Sequence, residues 1–182
     1  MLFTPRLKVV LLPAAVMVLV QVFNMLTANS LVHHGIIPRT VYGLQGIVFA
    51  PFLHGSLRHL LANLLPFVCL SWLVATEGVG RYVRVALLIG IMGGALVWLF
   101  GRTSIHVGAS GVIFGLWTYL LARAWHERSL ASLAIAAVAF LGYNGLVFGF
   151  IPMPGISVEA HIAGAVSGIV TAWLMHSRTL LK

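Results

Sequence analysis

Apolar residues fall in long blocks, and the polar positions between them are short and clustered. A helix needs roughly 20 apolar residues to cross a bilayer. Six runs approach that length: Leu7–Leu26, Leu57–Thr76, Tyr82–Phe100, Ser110–Trp125, Leu130–Phe148 and Val158–Met175. The pattern predicts an all-α membrane protein, a bundle of six transmembrane helices forming a single domain over residues 1–182. The first two runs are separated by a long connection, Thr27–Ser56, which carries His33, His34, Pro38, Arg39 and Pro51. Its mixed composition predicts a structured loop lying in or on the membrane surface. No internal repeat or low-complexity segment interrupts the series.

Composition agrees with the pattern. Only 8% of the 182 residues are charged and 60% are hydrophobic, against about 25% charged in a soluble domain. The net charge of +8 does not point to nucleic acid, because the basic residues are scattered at segment ends rather than clustered. They set an orientation instead. With both termini in the cytoplasm, Arg6, Lys8, Arg81, Arg84, Arg123, Arg128, Arg178 and Lys182 lie inside, and Arg39, Arg58 and Arg102 lie outside. That is the distribution the positive-inside rule favours. Arg6 and Lys8 run straight into apolar sequence with no signal-peptide cleavage pattern, and no extra cytoplasmic domain or seventh helix is expected. The lone Cys69 excludes an internal disulfide and any cysteine-based metal cluster. The chain contains no aspartate, and its acids are Glu77, Glu127 and Glu159. An aspartyl intramembrane protease and a Ser-His-Asp triad are therefore both excluded.

In this orientation the second, fourth and sixth runs all begin at the outer face. Their openings carry His59 and Asn63, Ser110, and His161. Thirteen helical residues from Arg123 back to Ser110 span roughly 20 Å, which places Ser110 roughly 10 Å beneath the outer boundary of a hydrocarbon core about 30 Å thick. The loop before Ser110 must dip to reach it, and backbone at that depth needs protein or a water-filled cavity around it. Polar groups converging there suggest a functional site.

Ser110 becomes a nucleophile only if a base takes its proton, and His161 is the natural base. Gly111 and Gly115 form one small-residue face, and Gly164 and Gly168 form another, with Ala160 and Ala163 nearby. Such faces pack membrane helices closely, and here the same packing would bring His161 to Ser110. His59 and Asn63, four residues apart, share a helix face. They suit either oxyanion stabilisation or interhelical hydrogen bonding. Pro66 is expected to kink this helix and free the carbonyl of Ala62. Phe114, one turn after Ser110, either packs on the His161 ring or is plain core. Zinc is disfavoured, with no HExxH motif and no carboxylate placed to join the outer histidines.

Three stretches resemble the rhomboid family of intramembrane serine proteases: His54-Gly-Ser-Leu-Arg-His59-Leu-Leu-Ala-Asn63, Gly108-Ala-Ser110-Gly111 and Ala160-His161-Ile-Ala-Gly164-Ala-Val-Ser-Gly168. Their order and spacing match the family's minimal six-helix bacterial form, over nearly the whole chain. The resemblance implies that Ser110 is the nucleophile, His161 the general base, and His59 and Asn63 oxyanion donors, with Gly108, Gly111, Phe114 and Gly164 in supporting places. At Phe114 many relatives carry a tyrosine that stacks on the histidine. It further implies a partly membrane-embedded Thr27–Ser56 loop, and a mobile gate and cap made by the fifth helix and residues Gly149–Ser157. One departure is the Trp-Arg pair that many rhomboids carry in the first loop. Gln45-Gly46 stands there, so the loop must hold its shape by other means, such as Pro38-Arg39 and Pro51. The implied activity is cleavage of single-span membrane proteins near the outer face of a bacterial inner membrane, among lipids and without cofactor or metal. Substrate would enter between helices two and five. The competing reading is a non-catalytic relative that binds and escorts membrane proteins.

Overall fold

The computed structural model describes residues 4–180, with side chains as far as His176. Lys182 and the side chain of Arg178, both counted above as inner charges, lie outside what it describes. The described chain is all helical: α1 (Pro5–Leu26), α2 (Gly46–Phe49), α3 (Leu57–Ala75), α4 (Val79–Phe100), α5 (Ser110–Glu127), α6 (Leu130–Tyr143) and α7 (Val158–Leu180), with short 3-10 turns between them. Five helices are long and apolar enough to cross a membrane: α1, α3, α4, α6 with its 3-10 continuation to Phe150, and the Val158–His176 part of α7.

The helix α5 is not among those five. It is the most enclosed helix, with every residue from Ile113 to Leu120 buried. Enclosed by protein over that stretch, it can carry Thr118 and Tyr119, and Arg123 and Glu127 lie at its half-buried end, where Trp125 is exposed. The other helices turn large apolar side chains such as Leu19, Leu65, Leu87, Leu141 and Trp173 outward. That surface suits a lipid environment and not water.

Packing of α7 on α5 is the closest in the molecule. A methyl added at Gly164 would land inside the Gly111 carbonyl oxygen, and one at Gly168 inside that of Gly115. Thr118 on α5 donates to the Ala165 carbonyl of α7 at 2.8 Å, bridging the same crossing. At one end of the bundle a half-buried ion cluster ties α4 and α5 to the α3–α4 turn. Glu77 pairs with Arg123 at 2.6 Å and with Arg81 at 3.0 Å. Glu127 takes the other arms of both arginines at 2.9 and 3.1 Å.

The long first connection is ordered by backbone pairing. Ile36 exchanges two hydrogen bonds with His106, and the Gly108 N–H donates to the Ala50 carbonyl. Arg39 closes the end of α4 by donating to the Gly101 and Leu99 carbonyls at 2.8 and 3.2 Å. A cation on the last carbonyls of a helix is favourably placed against its dipole. Trp98 donates back to the Thr40 carbonyl at 2.8 Å. These bonds tie the loop to the end of α4 at Arg39 and Thr40. Gly46 sits against the backbone of Gly35 and Ile36, where no side chain fits.

Candidate active site

Ser110 is the first residue of α5. The first four N–H groups of a helix have no partner within it, so Ser110 and Gly111 present donors beside the hydroxyl. The turn into α5 depends on Gly108, whose φ of +116° favours glycine. A side chain at Gly108 would also meet the His59 ring, 2.7 Å from Nε2. His59 on the first turn of α3 therefore packs against the backbone that leads to Ser110.

Asn63, one turn further along α3, is buried and donates one amide N–H to the His59 carbonyl at 2.7 Å. His161 is buried on the first turn of α7. Its ring lies flat on Phe114, with centroids 4.1 Å apart and planes 8° from parallel. Phe114 also meets Phe150 edge to face. His59, Asn63, Ser110, Phe114 and His161 line one partly open cavity of about 890 Å³, together with residues 152–157 of the segment leading into α7. Among the described residues no hydrogen bond joins Ser110 to His161; the His161 ring bonds to the Gly149 carbonyl.

That bond decides the tautomer. His161 Nδ1 lies 2.7 Å from the Gly149 carbonyl oxygen. A carbonyl only accepts, so Nδ1 carries the proton and Nε2 keeps its lone pair. A Cβ at Gly149 would fall 2.5 Å from the Phe114 ring, so only glycine lets this carbonyl reach the imidazole. Sequence reasoning missed Gly149, since a backbone carbonyl has no sequence signature. Glu159 points elsewhere: it pairs with Arg102 at 3.4 Å.

His54, just before α3, is fully buried and edge-on to His59 at 5.1 Å. Burial first, and the neighbouring His59 second, lower its pKa to about 4, with the Phe52 backbone opposing. It is therefore neutral at physiological pH. Asn24 of α1 donates to the His54 carbonyl at 3.1 Å and fixes this turn. Both His54 and Asn24 support the α3 entry, and nothing in the periodicity of α1 singles out Asn24.

Fold and site together define a multi-pass helical membrane protein with a cavity that gathers polar side chains from the starts of three helices. The chain belongs to the Rhomboid family, whose domain model matches residues 40–178. An uncharacterised protein of Mycobacterium tuberculosis is 35% identical over 171 aligned residues, covering 88% of this chain and 71% of its own length. An uncharacterised protein of Mycobacterium leprae is 36% identical over 172, covering 88% and 68%. Rhomboid-like protein 11, chloroplastic, of Arabidopsis thaliana is 31% identical over 143, covering 70% of this chain and 51% of its own.

Proposed function

We propose that this protein is an intramembrane serine endopeptidase working with a Ser110–His161 dyad. The observation that carries the reading is the state of His161. Its Nδ1–H is held by the Gly149 carbonyl and its face by Phe114, so Nε2 is left as a base lining the same cavity as the Ser110 hydroxyl. The carbonyl of Gly149 takes the orienting place a carboxylate holds in a triad.

The reaction follows from these groups. The Ser110 oxygen attacks the carbonyl carbon of the scissile peptide as its proton passes to His161 Nε2. The oxyanion is held by the backbone N–H groups at the start of α5, by His59, and by the amide N–H of Asn63 that the His59 carbonyl does not use. Collapse expels the amine, which takes the proton from His161 and leaves an acyl-serine. Water attacks that ester with His161 as base, and the acid and the free serine are released.

In this reading α5 is a sixth crossing shielded from lipid, and the first connection is embedded at the membrane surface. Both termini face the cytoplasm of a bacterial cell, and the cavity opens toward the outer side of its inner membrane. Ser110 lies about 20 Å along α5 from the Arg123 ion cluster, which marks the inner side. The substrates are single-span membrane proteins cut near their outer end.

The test is fluorophosphonate labelling, together with cleavage of a model single-span substrate, in detergent for wild type and Ser110→Ala. Labelling and cleavage by wild type, both absent in a folded Ser110→Ala protein, are expected. Cleavage retained by Ser110→Ala would overturn the assignment.

A further inference from the structure

The segment that opens α7 has a side-chain partner outside the motifs, in the loop between α4 and α5. His106 is buried there, and its backbone is paired with Ile36 of the first connection. Its Nε2 lies 3.0 Å from the Arg102 carbonyl, and its Nδ1 lies 2.6 Å from the Ser157 hydroxyl. The carbonyl can only accept, so Nε2 carries the proton. In the neutral ring Nδ1 then accepts the hydroxyl proton of Ser157.

Ser157 directly precedes α7. Its oxygen accepts from the Ala160 N–H at 3.2 Å, the arrangement of a helix N-cap. Its carbonyl accepts from the His161 N–H at 3.2 Å. A single residue thus receives the His106 contact and holds the backbone of the general base. Nearby, Arg102 donates to the Ile156 carbonyl at 2.6 Å and pairs with Glu159. That second clasp is half exposed and contributes little, whereas the His106–Ser157 bond is short and its His106 side is buried.

We propose that His106 is a positioning residue for the reaction. Through Ser157 it sets where α7 begins, and so where His161 Nε2 stands relative to Ser110. The inference rests on the dyad assignment above. His106 lines the cavity, so a direct role in holding substrate must be separated from positioning.

Two substitutions divide the ring's functions. His106→Asn keeps an acceptor near the Nδ1 position and loses the Nε2 donor. His106→Gln keeps a donor near Nε2 and loses the acceptor that Ser157 needs. The experiment measures kcat, KM and melting temperature on a model single-span substrate for these two proteins, Ser157→Ala, the His106→Gln/Ser157→Ala double variant, and wild type and Ser110→Ala as references. Displacements near 1 Å cost about 100-fold, so His106→Gln should lose about 10- to 100-fold in kcat with KM within about twofold. His106→Asn should recover to within about fivefold of wild type. The double variant should be no worse than the poorer single, because both break one connection.

The idea is overturned by a His106→Gln protein with wild-type kcat, by no recovery with Asn, by a change confined to KM, by additive losses, or by failure of both His106 variants to fold. Wild-type inactivity, or an active Ser110→Ala protein, would instead sink the dyad assignment on which the inference stands.

Discussion

Gly164→Ala is the sharpest perturbation of the helix crossing that carries the site. The added methyl would overlap the Gly111 carbonyl oxygen, one residue from Ser110. Backbone cannot rotate away as a side chain can, so α7 must move off α5. Restoring an ordinary contact requires a separation of about 1 Å or more. Overpacking of this kind costs about 1–3 kcal/mol in stability. The effect on chemistry is larger, because His161 rides on the same helix one turn away. A misplacement near 1 Å costs about 100-fold in rate. The assay measures turnover of a model substrate and thermal stability on the same preparations, for a graded set of glycines. At Gly93 the nearest atom to an added Cβ is 3.6 Å away, so Gly93→Ala should be silent. At Gly111 the Ala160 carbonyl is 3.1 Å away, so Gly111→Ala should fall between. Gly168→Ala should destabilise like Gly164→Ala with a smaller loss of turnover, since it lies a turn further from His161. Wild-type turnover in Gly164→Ala would refute the reasoning, as would a Gly93→Ala protein equally damaged.

Three further outcomes are expected. Asn63→Ala should lower turnover about 10²–10³-fold if its free N–H serves the oxyanion, with little change in melting temperature; a protein that melts much earlier yet cleaves at near wild-type rate would assign Asn63 to the scaffold. Glu77→Ala should destabilise by about 1–3 kcal/mol, read from denaturation midpoints, because Arg123 loses its closest carboxylate while keeping Glu127. His54 is the pH probe. Its folded pKa of about 4 lies below the usual 6.5, so the unfolded chain binds the proton first, and stability is fully present above pH 6.5 and declines as pH falls toward 4. The decline from this group is ~3 kcal/mol at one pKa unit per 1.36 kcal/mol, and melting curves of His54→Asn should be flatter over that window.

Much of this molecule is legible in one dimension. Long apolar blocks specify membrane helices because a bilayer accepts only backbone that satisfies its own hydrogen bonds. The helix starts at Leu57, Ser110, Leu130 and Val158 agree with the sequence pattern, since apolar length and polar breaks determine them locally. The α5 run was readable as a helix, but its burial was not. Its C-terminal end carries Arg123 and Glu127, whose charges are met by Glu77 and Arg81 from the neighbouring α3–α4 segment. The small-residue faces at Gly111 and Gly164 were visible as patterns, whereas their mutual contact needs two helices to meet. Periodicity is silent on the partners of the site. His161 is oriented by a carbonyl at Gly149, the α7 cap is linked to His106, and Arg39 closes α4. Each joins segments separated along the chain, the first and last through backbone carbonyls that every residue possesses and the second through the Ser157 hydroxyl. Residue type and spacing state what a segment can offer; which offers meet is decided by the packing of the helices in three dimensions.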